Sequence, residues 1–360
     1  MAEKKRRKKT RSKKSSVKKP EQLIPTGSTG LNNALADNPF GGYRKGTIVN
    51  LIGDSSAGKS LLAHTTFAAA NQMEEFDDYR FIFDDAECGA DFDTEEMFGE
   101  STAKRIESPS KKEEGSDTVE DFQMHIGEAI KAGKPFIYIL DSFDGLSADA
   151  DLKKAEEQNK SRKKGNETSG TYGQAKNIVS NQILRQIKAQ IKKTNSLLVV
   201  VSQVRDNMDT TGNPFAPKRR RAGGKALRHY SWQEIWLMLG SKIQVQVKGK
   251  KRQIGIYCNG KVDKNRETGK SRNVPSMPIY YDLGIDDVGS NIDYLVDESF
   301  WSKSNGQINA KEFSFKGSRD DLIKYVEENG LETELQLITH ECWKDIEDKL
   351  RLKSRKKRFE

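Results

Sequence analysis

No apolar run in this chain approaches the roughly 20 residues that a membrane-spanning helix needs, and its N-terminus carries no hydrophobic segment of the signal-peptide kind. The expectation is a protein of the cytoplasm that works away from membranes. Cysteine is scarce: Cys88, Cys258 and Cys342 are the three, far apart and never in C-x-x-C spacing. That argues against a disulfide framework or a cysteine-built zinc centre and fits a reducing compartment. The four histidines, His64, His125, His229 and His340, show no ligand spacing, so none is assigned to a metal.

What the chain has in excess is basic charge, unevenly placed. The net charge is +9, yet of 62 Lys and Arg and 53 Asp and Glu, eleven bases and a single acid fall in residues 1–20. The remainder lies within one charge of neutral, so the excess belongs to the tail and not to a basic folded surface. Arg351, Lys353, Arg355, Lys356, Lys357 and Arg358 make a second basic end, within residues 350–360. Blocks of like charge repel themselves, stay unfolded and bind polyanions by counterion release. A solubilising tail or a nuclear-import signal would have the same composition.

The most informative stretch is Gly53-Asp54-Ser55-Ser56-Ala57-Gly58-Lys59-Ser60, which matches the phosphate-loop pattern GxxxxGK[ST]. It follows the strand-like run Thr47–Ile52 and precedes a helical pattern with Leu61, Leu62, Phe67 and Ala70. Strand, glycine loop and helix wrap backbone N–H groups and a helix N-terminus around phosphates. Lys59 would reach the β- and γ-phosphates of ATP, and the Ser60 hydroxyl would ligate Mg²⁺.

Further strands are expected at Arg80–Asp84, Pro135–Leu140 and Leu197–Ser202, alternating with helical patterns. In 174–193, Val179, Ile183, Ile187 and Ile191 recur at four-residue spacing beside Leu184, one buried stripe. The reading is an α/β fold with a mostly parallel, twisted sheet covered on both faces. Glu234–Leu239, Lys242–Lys248 and Gln253–Asn259 are expected as successive antiparallel strands extending it. A core over 21–285 and a small C-terminal α/β domain over 286–349 complete the scheme, with helices at Asp320–Glu328 and Glu334–Lys349.

Two long polar gaps, about 147–172 and 205–228, follow the carboxyl ends of strands, the edge where open α/β sheets bind ligands. Both are basic. The first holds Lys160, Arg162, Lys163 and Lys164; the second holds Arg205, Lys218, Arg219, Arg220, Arg221, Lys225 and Arg228, with Gly223-Gly224 allowing close backbone approach to a phosphate chain. Tyr172, Phe215, Tyr230 and Trp232 lie in or beside these gaps. Tyr172 and Phe215 are the better candidates for stacking on bases, whereas Trp232 and Trp236 are expected to pack in the core.

Ile137-Tyr138-Ile139-Leu140-Asp141 is an apolar strand ending in an acid, placed to hold the Mg²⁺ shell through Asp141, with Ser142 beside it. Glu87, just past the strand ending Phe83-Asp84-Asp85, can take the proton of an attacking water. Gln203, after Ser202, can hydrogen-bond a γ-phosphate while its backbone begins the second basic segment, a two-state link between nucleotide and loop.

Taken with Asp85-Ala86-Glu87, Ile139-Leu140-Asp141-Ser142, Ser202-Gln203-Val204-Arg205, Gly212-Asn213-Pro214 and Gly223-Gly224-Lys225-Ala226-Leu227-Arg228, the phosphate loop makes the chain resemble RecA-family recombinases from roughly Thr26 to Leu283. The resemblance implies a RecA-like P-loop ATPase core. It also implies a DNA-dependent ATPase that forms helical filaments on single-stranded DNA, pairs it with homologous double-stranded DNA, and serves recombination and repair. It makes Glu87 the catalytic glutamate, Gln203 the nucleotide sensor, Asp91 an acid that contacts adenine, and 147–172 and 205–228 the two DNA-binding loops. Of two lysines that in the family reach ATP across the subunit seam, only Lys261 is in register, with Lys264 nearby. A lysine-rich tail replaces the family's N-terminal docking helix, the C-terminus is basic where bacterial RecA is acidic, and 217–221 make the second loop unusually basic. These departures suggest a divergent member, viral or plasmid-borne. Two further readings stay open: a recombination mediator or hexameric DNA motor on the same architecture, and a DNA-packaging scaffold with a vestigial ATPase.

Overall fold

The computed structural model describes residues 21–87, 89, 93–111, 115–163, 174–206, 219–221 and 224–352. Its large sheet has ten strands: Thr47–Gly53 (β1), Arg80–Asp85 (β2), Ile106–Glu107 (β3), Phe136–Asp141 (β4), Leu197–Asp206 (β5), Arg219–Arg221 (β6), Gln233–Val247 (β7), Lys250–Asn265 (β8), Arg272–Tyr280 (β9) and Gly284–Ile285 (β10). They lie side by side in the order β10-β9-β8-β7-β1-β5-β4-β2-β3, with β6 paired to β5 off this path. Every pairing from β7 through β1 to β3 is parallel; β7, β8, β9 and β10 pair antiparallel. The expected α/β fold, a mostly parallel sheet with an antiparallel extension, is the one the chain adopts.

The helices of seven or more residues in this part are Thr29–Ala36 (α1), Lys59–Asn71 (α2), Val119–Lys131 (α3), Asp149–Lys163 (α4), Gln174–Lys193 (α5) and Gly224–Tyr230 (α6). Successive strand side chains point to opposite faces, and the apolar runs sort accordingly. Val49, Leu51, Ile137, Ile139, Leu197, Val199 and Val201 join the core under α1 and α2. Ile48, Phe136, Tyr138, Leu140, Leu198 and Val200 join the other, under α3 and α5. The stripe on α5 behaves as its spacing predicts, with Ile183, Leu184, Ile187 and Ile191 all buried. Thr118 and Asp121 form a reciprocal capping box that starts α3.

Three expectations change. The described part of the first polar gap is largely helical, since α4 occupies Asp149–Lys163. Its sequence is rich in Ala, Leu, Lys, Glu and Gln, with Asp149 and Asp151 in the first turn favouring the helix dipole. It lacks an apolar stripe, the only signal that periodicity reads. In the second gap β5 runs on through Gln203 to Asp206, and Arg219–Arg221 pairs back onto it. The two strands expected at Glu234–Leu239 and Lys242–Lys248 are one, β7. Where a turn was expected, Gly240 and Ser241 stand against the single residue Tyr257, a β-bulge between the pairs Leu239–Cys258 and Lys242–Ile256.

Beyond β10 come Asp287–Asp297 (α7), a three-stranded sheet of Ser302–Ser304 (β11), Gln307–Ala310 (β12) and Phe315–Gly317 (β13), then Arg319–Glu328 (α8) and Glu332–Lys349 (α9). Ile292, Leu295, Trp301, Leu322, Val326 and Leu335 form its own core. Polar contacts tie it to α1: Thr29 donates from N and Oγ1 to the Asp287 carboxylate at 2.7 and 2.6 Å, and His340 Nδ1 lies 2.7 Å from Asn33 Oδ1. Glu347 is gripped by Arg272 Nε at 2.5 Å and Lys270 Nζ at 2.8 Å.

Arg272 first, then Lys270, pull the Glu347 carboxyl down to about 2. A carboxyl whose pKa is depressed on folding stabilises the fold above its unfolded value, and that contribution is lost as pH falls toward the folded one. Glu347→Gln is expected to cost about 1–3 kcal/mol at pH 7 and to remove a step in stability between about pH 4.5 and 2, read by urea melts over that range. No helix among the described residues is long and apolar enough to cross a membrane.

Candidate active site

The loop after β1 is shaped by two glycines. A Cβ on Gly53 would sit 2.5 Å from the Leu237 carbonyl oxygen of neighbouring β7, and Gly58 has φ +82°, in the left-handed region. Ser56 also has positive φ, 62°. Lys59 opens α2 and is 8% exposed, with Nζ donating to the Asp54 carbonyl at 2.7 Å across the loop. Burial lowers its pKa, opposed by Asp141, Glu87, Asp54 and Asp144. A buried ammonium hydrogen-bonded to a backbone carbonyl of the loop is suited to meeting phosphate oxygens there. Ser60 donates its hydroxyl to Asp141, whose carboxyl is pushed up to about 6 by burial, with Glu87 and Asp85 adding repulsion. The loop, Lys59 and the Ser60–Asp141 pair therefore fit a triphosphate with Mg²⁺: N–H donors and a cation for the anion, and a hydroxyl with a carboxylate for the metal.

Strand order brings the other groups to the same edge. Gln203 stands beside Gly53 in the β1–β5 pairing, and Asp85 stands beside Asp141 in the β2–β4 pairing. Below them Ser202 donates to Asn50 Oδ1 at 2.8 Å, a buried polar tie between the two strands. Glu87 leaves the end of β2, its N–H donating to the Asp141 carbonyl at 3.1 Å. Its Oε1 accepts from Ser142 Oγ and from Gln203 Nε2, the latter at 2.8 Å. Thus Glu87, Gln203, Lys59, Ser60 and Asp141 are gathered at one end of the sheet.

The sequence missed several residues here. Asp144 accepts the Gln203 N–H at 2.7 Å, and Lys176 on α5 donates to the carbonyls of Phe143 and Asp144. Behind β2, fully buried Asp84 accepts from Tyr138 Oη at 2.5 Å and from Ser116 N and Oγ, and Ser116 Oγ lies 2.9 Å from His125 Nδ1. Spacing alone carries no sign of these contacts; a charged residue three places past Asp141 was the one available hint.

Among the basic candidates, Lys160 is exposed on α4, and Arg205 is exposed on β5. Arg162 and Lys163 close α4, Arg219, Arg220 and Arg221 form β6, and Gly224 and Lys225 begin α6; they enter by backbone path alone. In that path Arg220 pairs with Arg205 and Arg219 with Asp206. Arg228 is half-exposed and lies 3.8 Å from Glu234 and 3.7 Å from Asp263, against the folded core. Lys261 is exposed on β8 opposite Trp236, which in turn pairs with Ile52 beside the phosphate loop. Lys264 instead caps α6 through the Arg228 and His229 carbonyls. Trp232 and Trp236 are not core residues. Both are partly exposed, Trp232 donating to Glu267 Oε2 at 3.2 Å with Arg44 over its ring. Asp91, Lys164, Tyr172, Phe215, Lys218 and Gly223 lie outside the described residues, as do Cys88, the basic tail over 1–20 and the C-terminal bases from Lys353 onward.

This arrangement has relatives. The sequence profile described as the RecA N-terminal domain matches residues 8–286. A protein named RecA from Nautilia profundicola is 28% identical over 350 residues, covering 93% of this chain and 90% of that protein. The RecA proteins of Acholeplasma laidlawii (strain PG-8A) and Staphylococcus carnosus are 26% identical over 308 residues and 27% over 336; the alignments cover 85% and 92% of this chain, and 83% and 81% of theirs. With that profile spanning most of its length, and with the phosphate loop and parallel sheet already described, this chain belongs to the RecA family.

Proposed function

We propose that the protein is an ATP-driven homologous-recombination and repair protein that assembles on single-stranded DNA and pairs it with a homologous duplex. The observation that carries this reading is the Glu87–Gln203 contact. One amide touches the residue suited to activating water, and it sits on the strand onto which Arg219–Arg221 pairs. Bound ATP with Mg²⁺ would supply the phosphoanhydride to be cleaved. Lys59 and the loop N–H groups from Asp54 to Ser60 would hold the phosphates, and Ser60 with Asp141 would hold the metal. Glu87 receives the proton of the attacking water through its carboxylate, while Ser142 keeps that carboxylate in place. When Gln203 turns from Glu87 to a phosphate oxygen, the end of β5 moves with it, and the basic segment paired to β5 changes its hold on DNA.

The DNA set in this reading is Arg205, Phe215, Lys218, Arg219, Arg220, Arg221, Gly223, Gly224 and Lys225 from the second segment, with Lys160, Arg162, Lys163, Lys164 and Tyr172 from the first. Arg228, drawn to Glu234 and Asp263, holds α6 to the sheet. Asp91 contacts adenine and Lys261 reaches a neighbouring subunit's ATP across a filament seam. The work is done in the cytoplasm.

The test is an ATPase and strand-exchange assay with and without single-stranded DNA. The parent protein is expected to hydrolyse ATP faster with DNA and to exchange strands only with ATP. Lys59→Ala is expected to lose turnover by at least about 100-fold, the scale of removing a preorganised cation from developing phosphate charge. A protein that grips DNA equally with ATP, without it, or after its hydrolysis would end this reading. Rings in place of helical filaments by electron microscopy would favour a hexameric motor.

A further inference from the structure

A second set of contacts adjoins Glu87 and Gln203 and takes no part in the steps above. Asp144 Oδ2 accepts the Gln203 backbone N–H at 2.7 Å. Lys176, in the first turn of α5, donates through Nζ to Phe143 O at 2.8 Å and to Asp144 O at 3.2 Å. The same ammonium lies 5.2 Å from the centre of the Phe143 ring. Phe143 N donates to Val201 O at 3.0 Å, which locks this short segment onto β5. The Lys176 N–H reaches Asp151 Oδ2, on α4, at 3.4 Å.

Residues 143 and 144 are therefore held from two sides. One side is β5, which carries Gln203 and pairs with β6; the other is the start of α5, which follows 164–173 in the chain. A solvated surface lysine has little reason to adopt this position. Burial lowers the Lys176 pKa while Asp144 opposes the shift, and burial raises the Asp144 pKa while the Gln203 N–H opposes it. Both groups have given up water for each other's neighbourhood, a cost that directed contacts must offset.

We propose that Asp144 and Lys176 are positioning residues, a strut joining the Gln203 end of β5 to the first turn of α5, so that a change at the nucleotide site reaches both basic segments together. The proposal rests on the reading of the site given above. Without the strut, a turn of Gln203 moves the end of β5 alone. With it, the Asp144 carboxylate follows the Gln203 N–H, and the carbonyls of residues 143 and 144 carry Lys176 along. Coupling of this kind needs one element with two arrangements that both ends bias.

Lys176→Met keeps the aliphatic stem against Phe143 and removes the ammonium, whereas Lys176→Arg keeps charge and donors. Hydrogen–deuterium exchange is followed at 174–180 and 197–206 with and without a non-hydrolysable ATP analogue, in the absence of DNA. In the parent, the analogue is expected to change exchange in both segments. In Lys176→Met the response at 197–206 stays and the response at 174–180 is lost, with analogue affinity unchanged; Lys176→Arg restores it. In steady-state assays with poly(dT), Lys176→Met is expected to lose about tenfold of the DNA-stimulated rate, within the usual range of inter-site coupling, and to keep its unstimulated rate. The strut is overturned if 174–180 still responds in Lys176→Met, if it never responds in a parent that binds the analogue, or if Arg fails to restore what Met removes. A parent whose hydrolysis ignores DNA, yet whose exchange pattern changes as described, would overturn the DNA reading and leave the strut standing.

Discussion

Glu87→Gln protein is expected to bind ATP and single-stranded DNA like the parent but to turn ATP over about 10²- to 10⁴-fold more slowly, the usual cost of losing a general base. The substitution is specific because of how Glu87 is held. Both observed bonds fall on Oε1, where Ser142 Oγ and Gln203 Nε2 donate. A glutamine carbonyl accepts both in the same place, so the resting network survives while the group that takes a proton is gone. Single-turnover hydrolysis measures the loss, and a fluorescent ATP analogue checks that binding is intact. The DNA complex should also outlive that of the parent, since ATP is no longer spent. Turnover within a few-fold of the parent would mean that another group activates water.

Changing Arg219, Arg220 and Arg221 together to Ala is expected to weaken single-stranded DNA binding and flatten its salt dependence. Each phosphate contact on a single strand contributes a slope of roughly 0.7 in log K against log salt, so three lost contacts lower the slope by about 2. These residues form β6, paired to Val204–Asp206 past Gln203 and outside the phosphate loop. Nucleotide affinity in the absence of DNA should therefore stay unchanged. Binding titrations over a salt series measure the slope, and an unaltered slope would remove β6 from the DNA contact.

Much of this site was readable in the residues before any coordinates. Gly53–Ser60, Glu87 and Asp141 each follow or end a strand of apolar character, Gln203 follows the apolar run of β5, and parallel strands deliver these groups to one edge. The parts that escaped notice share a physical cause. α4 is held by propensity and charge with no buried stripe, so periodicity has nothing to detect. The bulge at Gly240 looks like a turn because glycine serves both. Trp232 and Trp236 look like core residues by type, yet both stay partly exposed, Trp236 on a strand paired on both sides. The contact of Asp144 with Lys176 joins residues far apart in the chain, and only the packing of α5 against the sheet creates it.

The alternation along β5 has a consequence for how this protein can vary. Leu198 and Val200 fill one layer, Leu197, Val199 and Val201 the other, and Gln203 falls where the same count ends. Deleting any one residue between 197 and 202 would turn oily side chains toward the wrong layer and aim the Gln203 amide away from Glu87 in the same stroke. Length in this strand is thus under double constraint, and natural insertions should collect after Asp206, where neither layer nor amide is keeping count.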